Sequence, residues 1–597
     1  MNTETINIGE SQYLGDVLTV IPTNVILNKT ITGCGATTLE IKSQRNSIII
    51  EPNVPVILGK SQKHPEVLGV YEGVTIENIM EYLQSDIQYK KLLTTPESFS
   101  KVRMAMVKLY IPMISNYFLL FDECEKIIQD VDYRTSIILP IDVFFYFDNK
   151  AMVSATPIIP KDPRFEEQEF RILKIVPTYD YKKDITLLAT NNSVATFKRV
   201  IDQYKTHDKI CVFLNSTNAI EEMISMFEIK ELSNVYCSTE SMEKLKRNGL
   251  KNVSDTLTTK DGSIELNNYN FFTSRFYSAL DIELDFKPVV IMLTELFAAP
   301  YSMIDPTTES IQIAGRFRNG ISRLIHITNY NKKMKYKTEE EIASFLEGQH
   351  TIFMQLLQMQ RGSRQSGELH LLSQALMSVD YARYVNSSGE INHFMYNNTF
   401  RDEYVKSVYK TPFSIKMAYN SSNAFKVSYS FCKSRISDNN RRMLQNDKIN
   451  KSTLNKEAYS QIKKLLTSQD EFDKQYLQHI QDSFKLISEA YQVLGEEKIK
   501  ELEFKDSLLK KAIAEKKASN KQMNTGVLQS VYLAFNEHTR YTSNEINAKL
   551  TDIYRTYDVD YDRRGVANKI TLYFDAEVNN ISRSRGWKLK TRLHKMM

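Results

Sequence analysis

Up to about residue 335 the sequence alternates short, near-continuously apolar runs with amphipathic stretches, and this alternation leaves few folds open. The runs are SIIIEPN (47–53), NYFLLFDE (116–123), VFFYFD (143–148), KICVFLNST (209–217), NNYNFFTS (267–274), PVVIML (288–293) and RLIHITNY (323–330). Strands buried on both faces of a parallel sheet read this way. Stretches between them, such as NAIEEMISMFEIKEL (218–232), suit crossover helices. The pattern occurs twice, with a break at IVPTYDYKKD (175–184). A length of 597 residues exceeds what one core holds, at roughly 100–200 residues per domain.

After about residue 336 helical spacing and Lys, Glu and Gln dominate, as in 338–360 and 453–494. The stretch 386–432 is rich in Asn, Ser and Tyr and reads poorly as either state. Near the end, Thr542 and Glu545 form a capping-box pattern opening a helix over 544–557. A DRRG turn comes next, then a second helix around VANKITLYFDAEV (566–578) and a basic, strand-like RSRGWKLKTR (583–592). That order suits a winged helix set against DNA; it equally suits a small helical cap in which Trp587 merely packs. The last fifteen residues carry Arg583, Arg585, Lys588, Lys590, Arg592 and Lys595 and no acid, enough to neutralise phosphates or simply to be solvated. The expected division is therefore 1–180, 181–335, 336–524 and 525–597.

Composition excludes other classes. No apolar run approaches the roughly 18–20 residues of a membrane span, and the N-terminus reads as no secretory signal. Five cysteines and nine histidines show no zinc-type pairing. A reduced, cytoplasmic setting without structural metal is expected.

The chemistry lies in a series of short motifs. In NKTITGCGATTLE (28–40), Gly33 and Gly35 let backbone N–H groups approach a phosphate, and the following helix offers its N-terminus. Thr37 or Thr38 can place a hydroxyl on Mg²⁺. NYFLLFDECEK is an apolar strand ending in Asp122 and Glu123, a pair able to hold Mg²⁺ and orient an attacking water. Taken singly, a tight turn and a solvated acidic strand end explain these two equally well.

Together with motifs further along the chain, the series resembles the core of superfamily 2 helicases over about residues 20–335. MVSATP, with Ser154, Ala155 and Thr156, is similar to the motif coupling nucleotide state to the domain interface. LLTTPESF, with Thr94, Thr95 and Glu97, and IIIEPNVPV (48–56) resemble motifs that face the nucleic-acid strand. FLNST, ending in Ser216 and Thr217, and FFTSRFYSALDIEL, with Thr273, Ser274 and Asp281, resemble the motifs of the second half. QIAGRFRNG supplies Gln312, Gly315, Arg316 and Arg318, and resembles viral origin-binding and phage or mobile-element helicases. Either arginine can serve as the finger on the γ-phosphate.

The resemblance implies two tandem RecA-like domains, parallel sheets flanked by helices, followed by a mostly helical region. It implies ATP and Mg²⁺ bound by Lys29, Thr32, Gly33, Cys34, Gly35, Ala36, Thr37, Thr38 and Asp281, with Thr37 and Asp122 on the metal. Asp122, Glu123, Gln312, Arg316 and Arg318 would carry the hydrolysis. The expected partners are nucleic acid, DNA favoured over RNA, and replication proteins, in the host cytoplasm if the chain is phage-encoded.

One departure is large. The lysine of G-x-x-x-x-G-K-[ST] is replaced by Ala36. Lys29, just before the loop, is expected to fold back toward the phosphates, as in some phage packaging motors; otherwise it is a solvated lysine beside a degenerate site. Ala279-Leu280 likewise replace the usual glycine before the aspartate of the second-half motif.

Overall fold

The computed structural model describes the chain except residues 205–208, 259–262, 279–280, 386–389, 563, 582–583 and 595–597. Arg583, Lys595 and the Ala279-Leu280 pair thus lie outside the described residues. The chain forms two compact units, 1–434 and 435–597.

The first unit holds two wholly parallel eight-stranded sheets. Sheet one contains β1 (Thr3–Ile8), β2 (Val25–Asn28), β3 (Ser47–Ile50), β4 (Val67–Val70), β5 (Lys91–Thr94), β6 (Phe118–Asp122), β7 (Asn149–Ser154) and β8 (Arg171–Pro177), in the order β1-β8-β2-β7-β6-β3-β5-β4. Sheet two contains β9 (Lys183–Thr190), β10 (Ile210–Phe213), β11 (Ser233–Tyr236), β12 (Val253–Ser254), β13 (Tyr269–Phe272), β14 (Val289–Thr294), β15 (Arg323–Thr328) and β16 (Phe425–Cys432), in the order β12-β11-β13-β10-β14-β15-β9-β16. Helices flank both, the tandem RecA-like arrangement. Burial explains the apolar runs: every residue of β3, β5, β6, β10, β13 and β14 is buried.

Three expectations need correction. VFFYFD (143–148) is not a strand. A helix spans Ile141–Phe144 after Pro140, and its Phe144 and Phe145 pack edge-on against each other and against Phe121 and Phe165. The adjacent β7 takes the sheet position instead. The unreadable stretch 386–432 contains helices His393–Val408 and Pro412–Ser421, and then β16, which pairs with β9 from Lys183 to Thr190. Sheet two therefore runs past residue 335, because a late strand returns to cover its edge. Third, the helix expected over 566–578 is a 3₁₀ turn, Val566–Leu572, followed by a strand, β18 (Phe574–Ile581).

The helices after β15 join both halves of the first unit. Ile342, Leu346 and Phe353 of helix Glu339–Gly362 pack with Val131 and Ile137 of the first half. Tyr409 donates its hydroxyl to the Ile304 carbonyl of the second at 2.6 Å.

In the second unit, residues 527–589 share a core of their own. Helix Thr525–Ala534, β17 (Arg540–Thr542), helix Ser543–Thr556, the 3₁₀ turn, β18 and β19 (Ser584–Arg592) come in that order, with the sheet β17-β19-β18 antiparallel. Thr542 caps its helix as the pattern requires: its Oγ1 accepts from the Glu545 N–H at 3.3 Å, while its own N–H donates to Glu545 Oε2 at 2.7 Å. Trp587 is buried in this core rather than displayed. Among the described residues no helix is long and apolar enough to cross a membrane.

Candidate active site

The loop after β2 turns sharply toward the second half. Thr30, where the pattern G-x-x-x-x-G-K-[ST] has its first glycine, takes a left-handed φ of 59°, and its N–H is held by Asn28 Oδ1 at 2.9 Å. Gly33 and Gly35 have φ of 77° and 89°, conformations that favour glycine. A Cβ at Gly33 would press on the guanidinium of Arg318, which would have to move aside. Helix Ala36–Lys42 comes next, with Ala36 buried and Thr38 half-buried.

Lys29 is buried and points inward. Its Nζ lies 3.4 Å from Asp122 Oδ1 and 3.5 Å from Glu123 Oε1. Burial works against its charge, but Asp122 and Glu123 more than offset this and raise its pKa. Asp122, at the end of β6, also accepts from the Thr37 hydroxyl. Burial pushes its carboxyl up, but Lys29 and Thr37 prevail and hold it below the usual range. Glu123 has a left-handed φ of 47°, a strained backbone of the kind that gathers at functional sites.

The second half closes on these acids through helix Glu309–Arg316. The Gln312 Nε2 group is shared among Glu123 Oε2 (2.9 Å), Glu125 Oε1 (2.9 Å) and Thr156 Oγ1 (3.2 Å). Thr156 belongs to the SAT motif, where its N–H donates to Ser154 Oγ at 2.8 Å and Ala155 is buried. Arg316 Nη2 donates to Gln312 Oε1 at 2.6 Å and pairs with Glu123 Oε1 at 3.5 Å. Arg318 Nη2 pairs with Asp281 at 2.5 Å, and its Nη1 donates to the Gly315 carbonyl at 2.9 Å. Gly315 itself lies against the loop: a Cβ there would meet Thr32 Oγ1 at 2.1 Å. Glu125 is legible in sequence only as the last acid of D-E-x-E. Burial, reinforced by Glu123, pushes its carboxyl up to about 8.

The glycine loop, Lys29, Asp122, Glu123, Asp281, Arg316 and Arg318 line a cleft of about 540 Å³ that also reaches Glu51, Lys60 and Glu283. Sequence reasoning misses Glu51 and Lys60 as cleft residues. No local signal marks Lys60, six residues beyond the start of its helix; for Glu51 the one cue is an acid directly after an apolar strand.

The residues expected to face nucleic acid are placed otherwise than the cleft set. Thr94 and Thr95 are buried, with Thr94 Oγ1 donating to the Thr95 carbonyl at 3.1 Å and Thr95 Oγ1 accepting from the Ser98 N–H at 3.3 Å. Glu97 is clamped by Arg134 at 2.8 and 2.9 Å; burial opposes its charge, but Arg134 and Ser136 hold its carboxyl down to about 2. Ser216 caps helix Thr217–Met226 by accepting from the Ala219 N–H at 3.3 Å. Thr273 Oγ1 donates to the Tyr236 carbonyl at 3.4 Å, and the Ser274 N–H donates to Asn215 Oδ1 at 3.4 Å. On β19, Arg585 is exposed and Lys588 half-buried, whereas Lys590 is paired with Glu577. Acids on the neighbouring strand offset the basic run that looks unopposed in sequence.

Glycine-shaped space, a buried cation and an acid–hydroxyl pair fit a polyphosphate with a hydrated Mg²⁺, which typically keeps several waters and takes one or two carboxylates.

No protein-family model matches the chain, and no curated protein matches it in sequence. Solved structures with a similar arrangement include Saccharomyces cerevisiae Dbp5 bound to RNA and ADP BeF3, at 12% identity over 52% of this chain and 79% of that one, with a TM-score of 0.34. A DEAD box protein from the hyperthermophile Methanococcus jannaschii is 13% identical over 60% of this chain and 86% of its own, at 0.28. The yeast DEAD-box splicing factor Prp28 is 14% identical over 54% and 76%, at 0.21. At these scores the likeness carries no functional assignment.

Proposed function

We propose that the protein hydrolyses ATP in the cleft between its two sheets and uses the closing and opening of that cleft to move on nucleic acid, as a helicase or translocase of the superfamily 2 kind. The observation that carries this reading is the crossing of the cleft at a single acid. Glu123 is held from its own side by Lys29 and from the other by Gln312 and Arg316. A resting scaffold gains little from burying this many charges, since desolvation costs at least what the pairing returns.

Bound Mg²⁺ supplies charge neutralisation at the β- and γ-phosphates. Thr37 and Asp122 are the groups to hold it. Lys29 then stands in for the lysine that Ala36 removes, and Glu123 orients the attacking water and takes its proton. Arg316 and Arg318 lie on the far wall, either able to stabilise charge on the transferring group, a contribution worth about 10³–10⁵-fold in related motors. Gln312 ties the acids to Thr156, so the hydrolytic state and the interface between the halves change together. Because Gln312 and Arg316 already engage Glu123, nucleotide must exchange these contacts, and its differential affinity drives the motion.

On the resemblance of the QIAGRFR motif, the track is DNA and the setting is replication or genome processing of a phage or mobile element, in the cytoplasm. The order of elements over 525–597 supports a winged helix contributing to that contact, with Arg585 and Lys588 at its wing. A second reading arises from Ala36: a hydrolysis-deficient, helicase-shaped DNA-binding scaffold.

Steady-state ATP hydrolysis with and without single-stranded and duplex DNA and RNA separates the two. Stimulated turnover abolished by Asp122→Asn is the expected result, and the polymer that stimulates names the track. No turnover with nucleic-acid binding intact would leave the scaffold.

A further inference from the structure

Helix Glu339–Gly362 packs one face inward. Its Ile342, Leu346 and Phe353 are buried, Leu376 of helix Ser366–Ser378 joins their cluster, and Gln360 Nε2 donates to Ser373 Oγ at 2.8 Å. These contacts leave a second line of apolar side chains bare. Phe345, Ile352 and Met359 are 43%, 54% and 60% exposed. They lie seven residues apart, so at about 100° per residue they fall on one line, roughly a quarter turn from the packed face. The Lys337 ammonium lies over the Phe345 ring, 3.7 Å from its centroid, and the ring keeps that exposure all the same.

An apolar line that repeats every seven residues is the seam of a two-helix coiled coil. A surface helix needs one such line, toward its own core, and this helix has two. Gly348, between Phe345 and Ile352, lowers helix stability. Nothing in the chain itself requires it, since a Cβ there would meet no atom within 4 Å. A glycine at this place lets a second backbone come close.

The line reads alike from either end, because Phe345 and Met359 stand equally far from Ile352. An antiparallel copy centred on Ile352 therefore sets Ile352 against itself and Phe345 against Met359. The same register sets Glu340 against Arg364 and brings the acidic first turn, Glu339 to Glu341, to the end that carries Arg361 and Arg364. Among the described residues Glu339, Glu340, Arg361 and Arg364 make no ion pair within the chain. A parallel pair would instead stack acid on acid and base on base.

We propose that this line is an interface between two copies of the chain, joined as a two-fold, antiparallel pair of Glu339–Gly362 helices. The inference stands apart from the nucleotide reading of the cleft.

Sedimentation equilibrium of the full chain at micromolar concentrations tests it, with cysteine cross-linking to read the register. Wild type is expected to dimerise. Ile352→Glu should weaken the dimer at least about tenfold, since each pair would then bury two facing carboxylates. Met354→Glu, an equally drastic change at an exposed position on the far side of the same helix, should leave it intact. Under mild oxidation Ile352→Cys should link to itself. Phe345→Cys should not, its two copies lying about 21 Å apart along the pair, beyond disulfide reach. It should link to Met359→Cys when the two proteins are mixed. The five native cysteines are buried or half-buried, which keeps the background low. A monomeric wild type, or a dimer that Ile352→Glu leaves as tight as wild type, would overturn the interface. Self-linking of Phe345→Cys without linking to Met359→Cys would overturn the antiparallel register.

Discussion

Replacing Lys29 by methionine removes one ammonium while keeping most of the stem's volume. The lysine Nζ sits 3.4 Å from Asp122 and 3.5 Å from Glu123. With an effective dielectric of about 20, each pair is worth on the order of 5 kcal/mol before desolvation is subtracted. Removing one partner of a buried pair costs about 3–5 kcal/mol net, because the carboxylates left behind stay buried. Glu123 retains Arg316 at 3.5 Å, whereas among the described residues Asp122 keeps only the Thr37 hydroxyl and the Glu123 N–H as direct partners. Asp122's depressed pKa contributes stability that is present above its unfolded value and lost as pH falls through the folded one. Without Lys29 that loss moves to higher pH, and the acid's hold on a cation weakens. Turnover should fall about 10²–10³-fold, the loss typical when one preorganised charge-stabilising group is removed. Lys29→Arg, which keeps the charge, should fall less. The assay is steady-state ATP hydrolysis alongside denaturation curves on the same preparations. Lys29→Met turning over within about threefold of wild type, with unchanged stability, would refute the assignment of the displaced lysine.

Four further outcomes are expected. Gly315→Ala places a Cβ 2.1 Å from Thr32 Oγ1, so it should abolish hydrolysis without unfolding either sheet; Thr32→Gly, which removes the clashing atoms, should restore activity, and a failure to do so would place the defect elsewhere. Gln312→Ala should lower kcat about tenfold or more with a smaller change in KM, since it removes the link between Glu123 and Thr156 rather than a binding contact; a pure KM effect would contradict this. With Glu125 pushed up to about 8, the folded state binds more protons than the unfolded state between the ordinary carboxyl range and pH 8, so stability falls as pH rises through that window; Glu125→Gln should flatten the slope in urea titrations. Arg585→Ala with Lys588→Ala should reduce the salt dependence of duplex binding by roughly 0.9 in log–log slope for each phosphate no longer neutralised; an unchanged slope would remove the wing from the interface.

Much of the candidate cleft was legible because the residues that line it fall in a few short windows of chain. Gly33 and Gly35, the acids closing β6 and the Gln312–Arg318 segment each announce themselves within a few residues. Parallel strands were legible for a similar reason: burial on both faces leaves unbroken apolar runs such as those of β3 and β6. VFFYFD failed by the same logic, since an aromatic run packed against Phe121 and Phe165 looks identical whether it is strand or helix. The edge strand β16 was invisible because seven of its eight residues are exposed or half-buried, five of them polar or aromatic, with no apolar run to read.

What tertiary structure alone decided is how charges separated by long stretches of chain meet. Sequence placed Lys29 beside the glycine loop but left open whether it was solvated; only the stacking of β2 against β7, with β6 beyond, brings it to Asp122, 93 residues away. Gln312 reaches Glu123 across 189 residues because the second sheet presents helix Glu309–Arg316 to the first. Lys590 shows the converse. It belongs to a run that is purely basic along the chain, yet it is neutralised because the hairpin sets Glu577 of β18 beside it. Charge along a chain is additive, but its effect depends on distance and dielectric, and both are settled only when the chain folds.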